Sequence, residues 1–136
     1  MQSQPLMQQS RSWKILIAED DRFLRRAAEA MFRQHGYIVV TAADGEEALC
    51  LARAEKPDLI LLDLIMPKVQ GFEVLKELKA DPSTSPVPVV VMTNLGQESD
   101  RQEAAEAGAA DYVVKANLDL EDLAKRVEQM LAGFES

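Results

Sequence analysis

Short apolar runs alternate with helical patterns five times along the chain. The runs lie near 14–18, 37–42, 58–63, 87–93 and 110–115. Leu59-Ile60-Leu61-Leu62, bounded by Pro57 and Pro67, holds no polar position. That is the signature of a strand buried on both faces of a parallel sheet. A helix is predicted over about 22–35, where Leu24, Ala27, Ala28 and Met31 fall at i, i+3, i+4 and i+7 and make one apolar stripe. A second, about 45–54, has Asp44 as its N-cap with Glu47 three residues later. A third spans about 71–80 and ends before Asp81-Pro82. A fourth, about 98–107, is alanine-rich and stops at Gly108. The fifth, about 119–132, opens at Asp119 and carries Leu120, Leu123, Ala124, Val127 and Leu131. Residues 1–12 are rich in Gln and Ser without an apolar period, so they read as a flexible tail before a single domain over 13–133.

Alternating strands and helices with short connections imply a parallel sheet covered by helices on both sides. The doubly wound, flavodoxin-like (βα)5 arrangement with strand order 2-1-3-4-5 fits five strands and sets strands 1 and 3 side by side. That order is adopted because it fits; the pattern alone does not dictate it.

Composition narrows the function. A chain of 136 residues with 47% hydrophobic content supports one folded domain. Its net charge of −8 argues against direct nucleic-acid binding, which needs a basic surface. The single cysteine, Cys50, excludes an internal disulfide and paired-cysteine metal sites. No apolar stretch approaches the roughly 20 residues of a membrane span, and no signal peptide opens the chain. No membrane insertion and a cytoplasmic location are therefore expected.

The chemistry gathers where the strands end. Strand 1 runs into Glu19-Asp20-Asp21, strand 3 into Asp63, strand 4 into Thr93 and strand 5 into Lys115. Open α/β sheets place their ligand crevices at these carboxyl ends. Converging carboxylates repel unless a cation compensates, and an all-oxygen set suits a hard ion such as Mg2+ or Mn2+. Such a group can handle a phosphoryl transfer. Asp63 is the candidate nucleophile, Lys115 and the cation neutralise charge, and Thr93 donates a hydrogen bond to a phosphoryl oxygen. Each residue alone has a plainer reading. Asp20 or Asp21 can cap the first helix, Thr93 can be an ordinary strand residue, Lys115 a solvated lysine and Tyr112 core. Arg22, Arg25, Arg26 and Arg33 give the first helix a basic face, ordinarily solvated and also suited to a docking partner. His35 suits the helix dipole at the end of that helix and reads as structural. It is the ordered set at the strand ends that argues for chemistry.

Four stretches carry a resemblance: Ile15-Leu16-Ile17-Ala18-Glu19-Asp20-Asp21, Leu61-Leu62-Asp63-Leu64-Ile65-Met66-Pro67, Val91-Met92-Thr93 and Gly108-Ala109-Ala110-Asp111-Tyr112-Val113-Val114-Lys115. In this order they resemble the receiver domain of bacterial response regulators, the phosphoacceptor module of two-component signalling. The resemblance covers nearly all of 14–131. It implies that Asp63 is phosphorylated and that Asp20, Asp63 and the backbone carbonyl of Ile65 bind Mg2+, with Glu19 acting mostly through water. It makes Thr93 and Tyr112 the switch pair and Lys115 the family's lysine. Phosphorylation is then expected to draw Thr93 toward the phosphoryl group and turn Tyr112 inward. Three positions depart from the pattern. Ala116 stands where a proline after a cis peptide is usual, so a trans bond is expected. Asn94 replaces a small residue, and Met66-Pro67-Lys68-Val69-Gln70-Gly71 lacks the common Met-Asp before its glycine. Ile65 and Leu95 occupy two positions that help orient the attacking water in receivers. Both are apolar here, which predicts a long-lived acyl phosphate.

The expected function is that of a stand-alone response regulator. It would take a phosphoryl group from a histidine kinase or histidine phosphotransfer protein and signal to a downstream protein through helix 4, strand 5 and helix 5. The chain ends soon after helix 5, which leaves an output by protein contact or onward transfer, or a receiver cut from a longer regulator. An Mg2+-dependent aspartate phosphatase of the haloacid-dehalogenase type needs a second aspartate at position 65, where Ile stands. A flavin or nucleotide carrier needs a phosphate-binding loop after strand 1, where three acids stand instead.

Overall fold

The strands form because their residues suit a pleat buried on both faces. In the computed structural model, which describes residues 12–94 and 98–133, β1 is Lys14–Ala18, β2 Ile38–Ala42, β3 Leu59–Asp63, β4 Val89–Thr93 and β5 Asp111–Val114. Every residue of β3 and β4 is buried, while β2 and β5 are partly open, as edge strands are. All neighbours pair parallel in the order β2-β1-β3-β4-β5. This is the doubly wound order that the alternation suggested.

Five helices cover the sheet: α1 Arg22–Gln34, α2 Gly45–Glu55, α3 Gly71–Ala80, α4 Glu98–Glu106 and α5 Leu120–Ala132. Period-2 alternation divides the strand residues between two cores. On one face Leu16, Ile60, Leu62, Val89 and Val91 pack with Ala48, Leu49 and Ala52 of α2, Val74, Leu75 and Leu78 of α3, and Ala104 of α4. On the other, Ile15, Ile17, Leu59, Leu61, Val90 and Met92 pack with Ala28, Met31 and Phe32 of α1 and Leu123, Val127 and Leu131 of α5.

The caps match the sequence signals. Asp21 caps α1, accepting the N–H groups of Phe23 and Leu24 at 2.9 and 3.1 Å. Asp44 caps α2 through the Glu47 N–H, and the Glu47 carboxylate reaches back to the N–H of Ala43, each at 2.8 Å. Asp119 caps α5 through the Glu121 N–H.

Four strands start one or two residues later than expected, and β5 also ends one residue earlier; two of these limits have a local cause. β4 starts at Val89 because Val87 is used in the preceding turn. Its N–H goes to the Thr84 carbonyl and its own carbonyl accepts from Lys79 Nζ at 2.6 Å. β5 ends at Val114, because Lys115–Asn117 closes into a 3-10 turn with the Leu118 N–H on the Lys115 carbonyl. No cis peptide occurs among the described residues, so the Lys115–Ala116 bond is trans as expected. Most of the predicted tail, residues 1–11, lies outside the described residues.

α2 ends at Lys56, which holds a left-handed conformation with φ of 50°. A side chain in that region costs about 1–2 kcal/mol, a cost that glycine avoids. Lys56→Gly is expected to stabilise the fold by about 1 kcal/mol once the greater freedom of glycine in the unfolded chain is subtracted. Urea unfolding at unchanged slope checks it, and a lower midpoint would show that the lysine contributes more than its strain costs.

Candidate functional site

Strand register sets the site. Ala18 pairs with Leu62, so Glu19, the next residue after β1, comes level with Asp63 at the end of β3. Asp63 pairs with Met92, which puts Thr93 one step further along β4. Thr93 pairs with Val114, and Lys115 follows. Glu19 and Thr93 are fully buried, Asp63 is 2% exposed, and Asp20 faces solvent. The backbone of an apolar sheet has thus carried two carboxylates into a low-dielectric edge.

Lys115 is what makes this tolerable. Its Nζ lies 2.9 Å from Glu19 and 3.0 Å from Asp63, residues 96 and 52 positions earlier. Asp63 accepts with both oxygens, Oδ2 from Lys115 and Oδ1 from the N–H of Ile65 at 3.0 Å. The Glu19 Oε2 accepts from Lys115 and from the N–H of Asp21 at 2.9 Å. Its Oε1 lies within ion-pair distance of the same ammonium but completes no hydrogen bond and is buried.

The protonation equilibria follow from this crowding. Burial, with a smaller push from the Asp63 charge, raises Glu19 to about 7 against the lowering effect of Lys115 and the Asp21 N–H. Burial also raises Asp63, partly offset by the Ile65 N–H and by Lys115. Burial pulls Lys115 down, but its bonds to Glu19 and Asp63 outweigh that and hold it above the ordinary lysine value. One ammonium cannot balance the full acid set.

One oxygen each from Glu19, Asp20 and Asp63 lies within 4.8 Å of the others. This group could hold a metal ion. The unsatisfied Glu19 Oε1, the excess negative charge and the all-oxygen donors fit a hard divalent cation.

The loop after β3 folds tightly over the same edge. The Val69 N–H bonds the Pro67 carbonyl across Lys68, whose φ is 72°, a strained three-residue turn. The Gly71 N–H then bonds the Leu64 carbonyl at 2.9 Å. A Cβ at Gly71 would collide with the Leu64 backbone, so glycine is what lets α3 start there. Ile65, on this loop, is 58% exposed, and Asn94 is exposed directly after Thr93. Leu95 lies outside the described residues.

Tyr112 is buried, with the Arg101 guanidinium 4.7 Å from its ring centre. Ala104 is the one side chain of α4 that is fully covered among the described residues. Sequence patterning found neither the Arg101 contact nor a second one: Arg25 Nη1 donates to the Glu19 and Asp20 carbonyls. Arg25 was readable only as part of a basic face. Its position one turn into the helix after the acids was the available signal.

The model of the response regulator receiver domain matches residues 15–128. The chain belongs to that family. It is 38% identical to Protein PilH of Pseudomonas aeruginosa over 88% of this chain and 98% of that one. It is 42% identical to the probable transcriptional regulator ycf27 of Cyanophora paradoxa over 90% of this chain, which spans only 50% of the relative. The chain spans 39% of the ycf27 relative of Guillardia theta and 40% of that of Galdieria sulphuraria. Among solved structures it resembles the receiver domain of the sensor histidine kinase PA1611 of Pseudomonas aeruginosa PAO1, with a TM-score of 0.79 at 29% identity over 88% of this chain and 97% of that one. That receiver has a magnesium ion coordinated in its active-site cleft. The receiver of two-component signalling is thus the family of this chain, and its flavodoxin-like sheet is the family's.

Adding Mg2+ at ten times its dissociation constant is expected to stabilise the folded protein by about 1.4 kcal/mol, a rise of a few degrees in Tm. Asp20→Asn and Asp63→Asn should each remove most of that rise. A thermal melt at constant ionic strength reads it out, and an equal rise in all three proteins would place the cation elsewhere.

Proposed function

We propose that this receiver accepts a phosphoryl group on Asp63 from the phosphohistidine of a histidine kinase or histidine phosphotransfer protein. The observation that carries the reading is the burial of Asp63 at a strand end, with Lys115 on one oxygen and the Ile65 N–H on the other. The receiver domain is assigned to residues 13–133.

In this reading a carboxylate oxygen of Asp63 attacks phosphorus. The phosphorus–nitrogen bond to the donor histidine breaks, its electron pair stays on the imidazole, and an acyl phosphate results. Glu19, Asp20, Asp63 and the backbone carbonyl of Ile65 are the residues to hold Mg2+ or Mn2+. When bound, the ion neutralises charge on the phosphoryl oxygens. Lys115 keeps Asp63 ionised in the absence of the phosphoryl group and afterwards serves a phosphoryl oxygen. Thr93, buried one step beyond, is the hydroxyl donor to that group. Its movement and that of Tyr112 form the switch, read by a downstream protein over α4, β5 and α5. Tyr112 is already covered by Arg101, so switching is expected to alter the seat of α4 more than the exposure of the ring.

The match along nearly all of PilH supports a stand-alone regulator. The matches to half or less of the ycf27 relatives support the receiver of a longer regulator instead. No described helix is long and apolar enough to cross a membrane. A cytoplasmic site of action accords with the proposed phosphodonor. A phosphatase reading is not favoured, because position 65 offers an exposed isoleucine where that chemistry needs a carboxylate.

Acetyl phosphate is expected to label wild type in the presence of Mg2+ and not in EDTA. Asp63→Asn should stay unlabelled under both conditions by intact-mass analysis. Equal labelling of the two proteins would sink the assignment of Asp63.

The phosphorylated form is expected to be long-lived, because Ile65, whose N–H bonds Asp63, carries an apolar side chain that cannot bind the attacking water. Ile65→Asn should hasten phosphate loss several-fold after donor removal. A variant that decays no faster than wild type would refute shielding by this residue.

A further inference from the structure

We infer that Arg25 is a positioning residue for the cation site, fixing the backbone that carries Glu19 and Asp20. This rests on the reading of Glu19, Asp20 and Asp63 as the metal ligands.

The acidic turn between β1 and α1 is tied at several points. The Glu19 N–H bonds the Ala42 carbonyl at 3.0 Å, and the Glu19 carboxylate takes the Asp21 N–H at 2.9 Å. Asp21 is occupied as the α1 cap. Asp20 projects from the middle of this turn with an exposed side chain. Its direction therefore depends on the peptides on either side. Arg25 Nη1 holds both: it lies 2.9 Å from the Glu19 carbonyl and 3.3 Å from the Asp20 carbonyl. Arg25 is also half-buried, whereas Arg22 and Arg26 are exposed and Arg33 pairs with Glu29 and the Val39 carbonyl. A basic residue that merely solvated the helix would not turn back onto the acids.

The charge of Arg25 opposes this role. A guanidinium beside a cation site repels the cation, so charge alone would make its removal tighten binding. Loss of two carbonyl anchors would loosen Asp20 and weaken binding. The sign of the change separates the two effects.

The test is calorimetric Mg2+ titration of wild type, Arg25→Gln and Arg25→Lys at fixed ionic strength. Alongside it, Asp63 labelling by acetyl phosphate is followed as a function of Mg2+. Arg25→Gln is expected to bind Mg2+ roughly 10-fold more weakly, as the loss of a residue that orients metal ligands does. Its half-maximal Mg2+ concentration for labelling should rise in step while the plateau rate is kept. Arg25→Lys should recover part of the affinity, since an ammonium can meet a carbonyl without the reach of the planar fork. Unchanged or tighter Mg2+ binding by Arg25→Gln would overturn the inference. So would a lowered plateau with an unshifted half-maximal concentration, which marks a merely structural loss. A wild-type protein that binds no Mg2+ would overturn the metal-site reading itself.

Discussion

One ammonium stands between two buried carboxylates, and the carboxyl-end face of the sheet is organised around it. Lys115 joins the ends of β1 and β3 from beyond β5, across 96 and 52 residues of chain. Burying either acid without it would leave an uncompensated charge at a cost of about 3–5 kcal/mol. Burial with it still leaves Glu19 raised to about 7 and one Glu19 oxygen without a hydrogen bond. The edge is therefore folded but electrostatically incomplete. That incompleteness suits the cation that Glu19, Asp20 and Asp63 could hold.

The surrounding structure serves to hold this edge still. β3 and β4 are buried throughout, so the strand ends bearing Asp63 and Thr93 cannot drift without disturbing both cores. On one side Asp21 caps α1 directly after the acid pair, and on the other Gly71 lets α3 begin against Leu64. Between them lies the strained turn at Lys68, whose carbonyl neighbour Pro67 also accepts the N–H of Gly45 at the start of α2. Rigid elements fix the acids, while Asp20, Ile65, Lys68 and Asn94 around them are left exposed.

The fold and the principal acids were legible because both depend on residue type and order. Apolar runs define the strands, and parallel topology then puts their last residues together whatever the rotamers are. That is why Glu19, Asp20, Asp63, Thr93 and Lys115 could be named. What escaped depends on side-chain direction. Arg25 turning back to the Glu19 and Asp20 carbonyls and Arg101 crossing to Tyr112 leave no periodic trace. The strand limits shifted where backbone groups found local partners, at Val87 through Thr84 and Lys79 and at Lys115 through Leu118. Alternation of apolar residues cannot report such competition between a turn and a ladder.

The light anchoring of α4 has a consequence for the switch proposed above. Its described residues bury one alanine and lay one arginine on a tyrosine. Two seats for that helix would then differ by a sum of few contacts. A change of about 1.4 kcal/mol shifts a two-state ratio ten-fold, comparable with a single cation–π contact or a buried methyl group. In that proposal, substitutions at Arg101 or Ala104 would act as dials on the resting bias, leaving the acids and the lysine untouched. Sensitivity and resting leakage would then be adjustable independently of the chemistry.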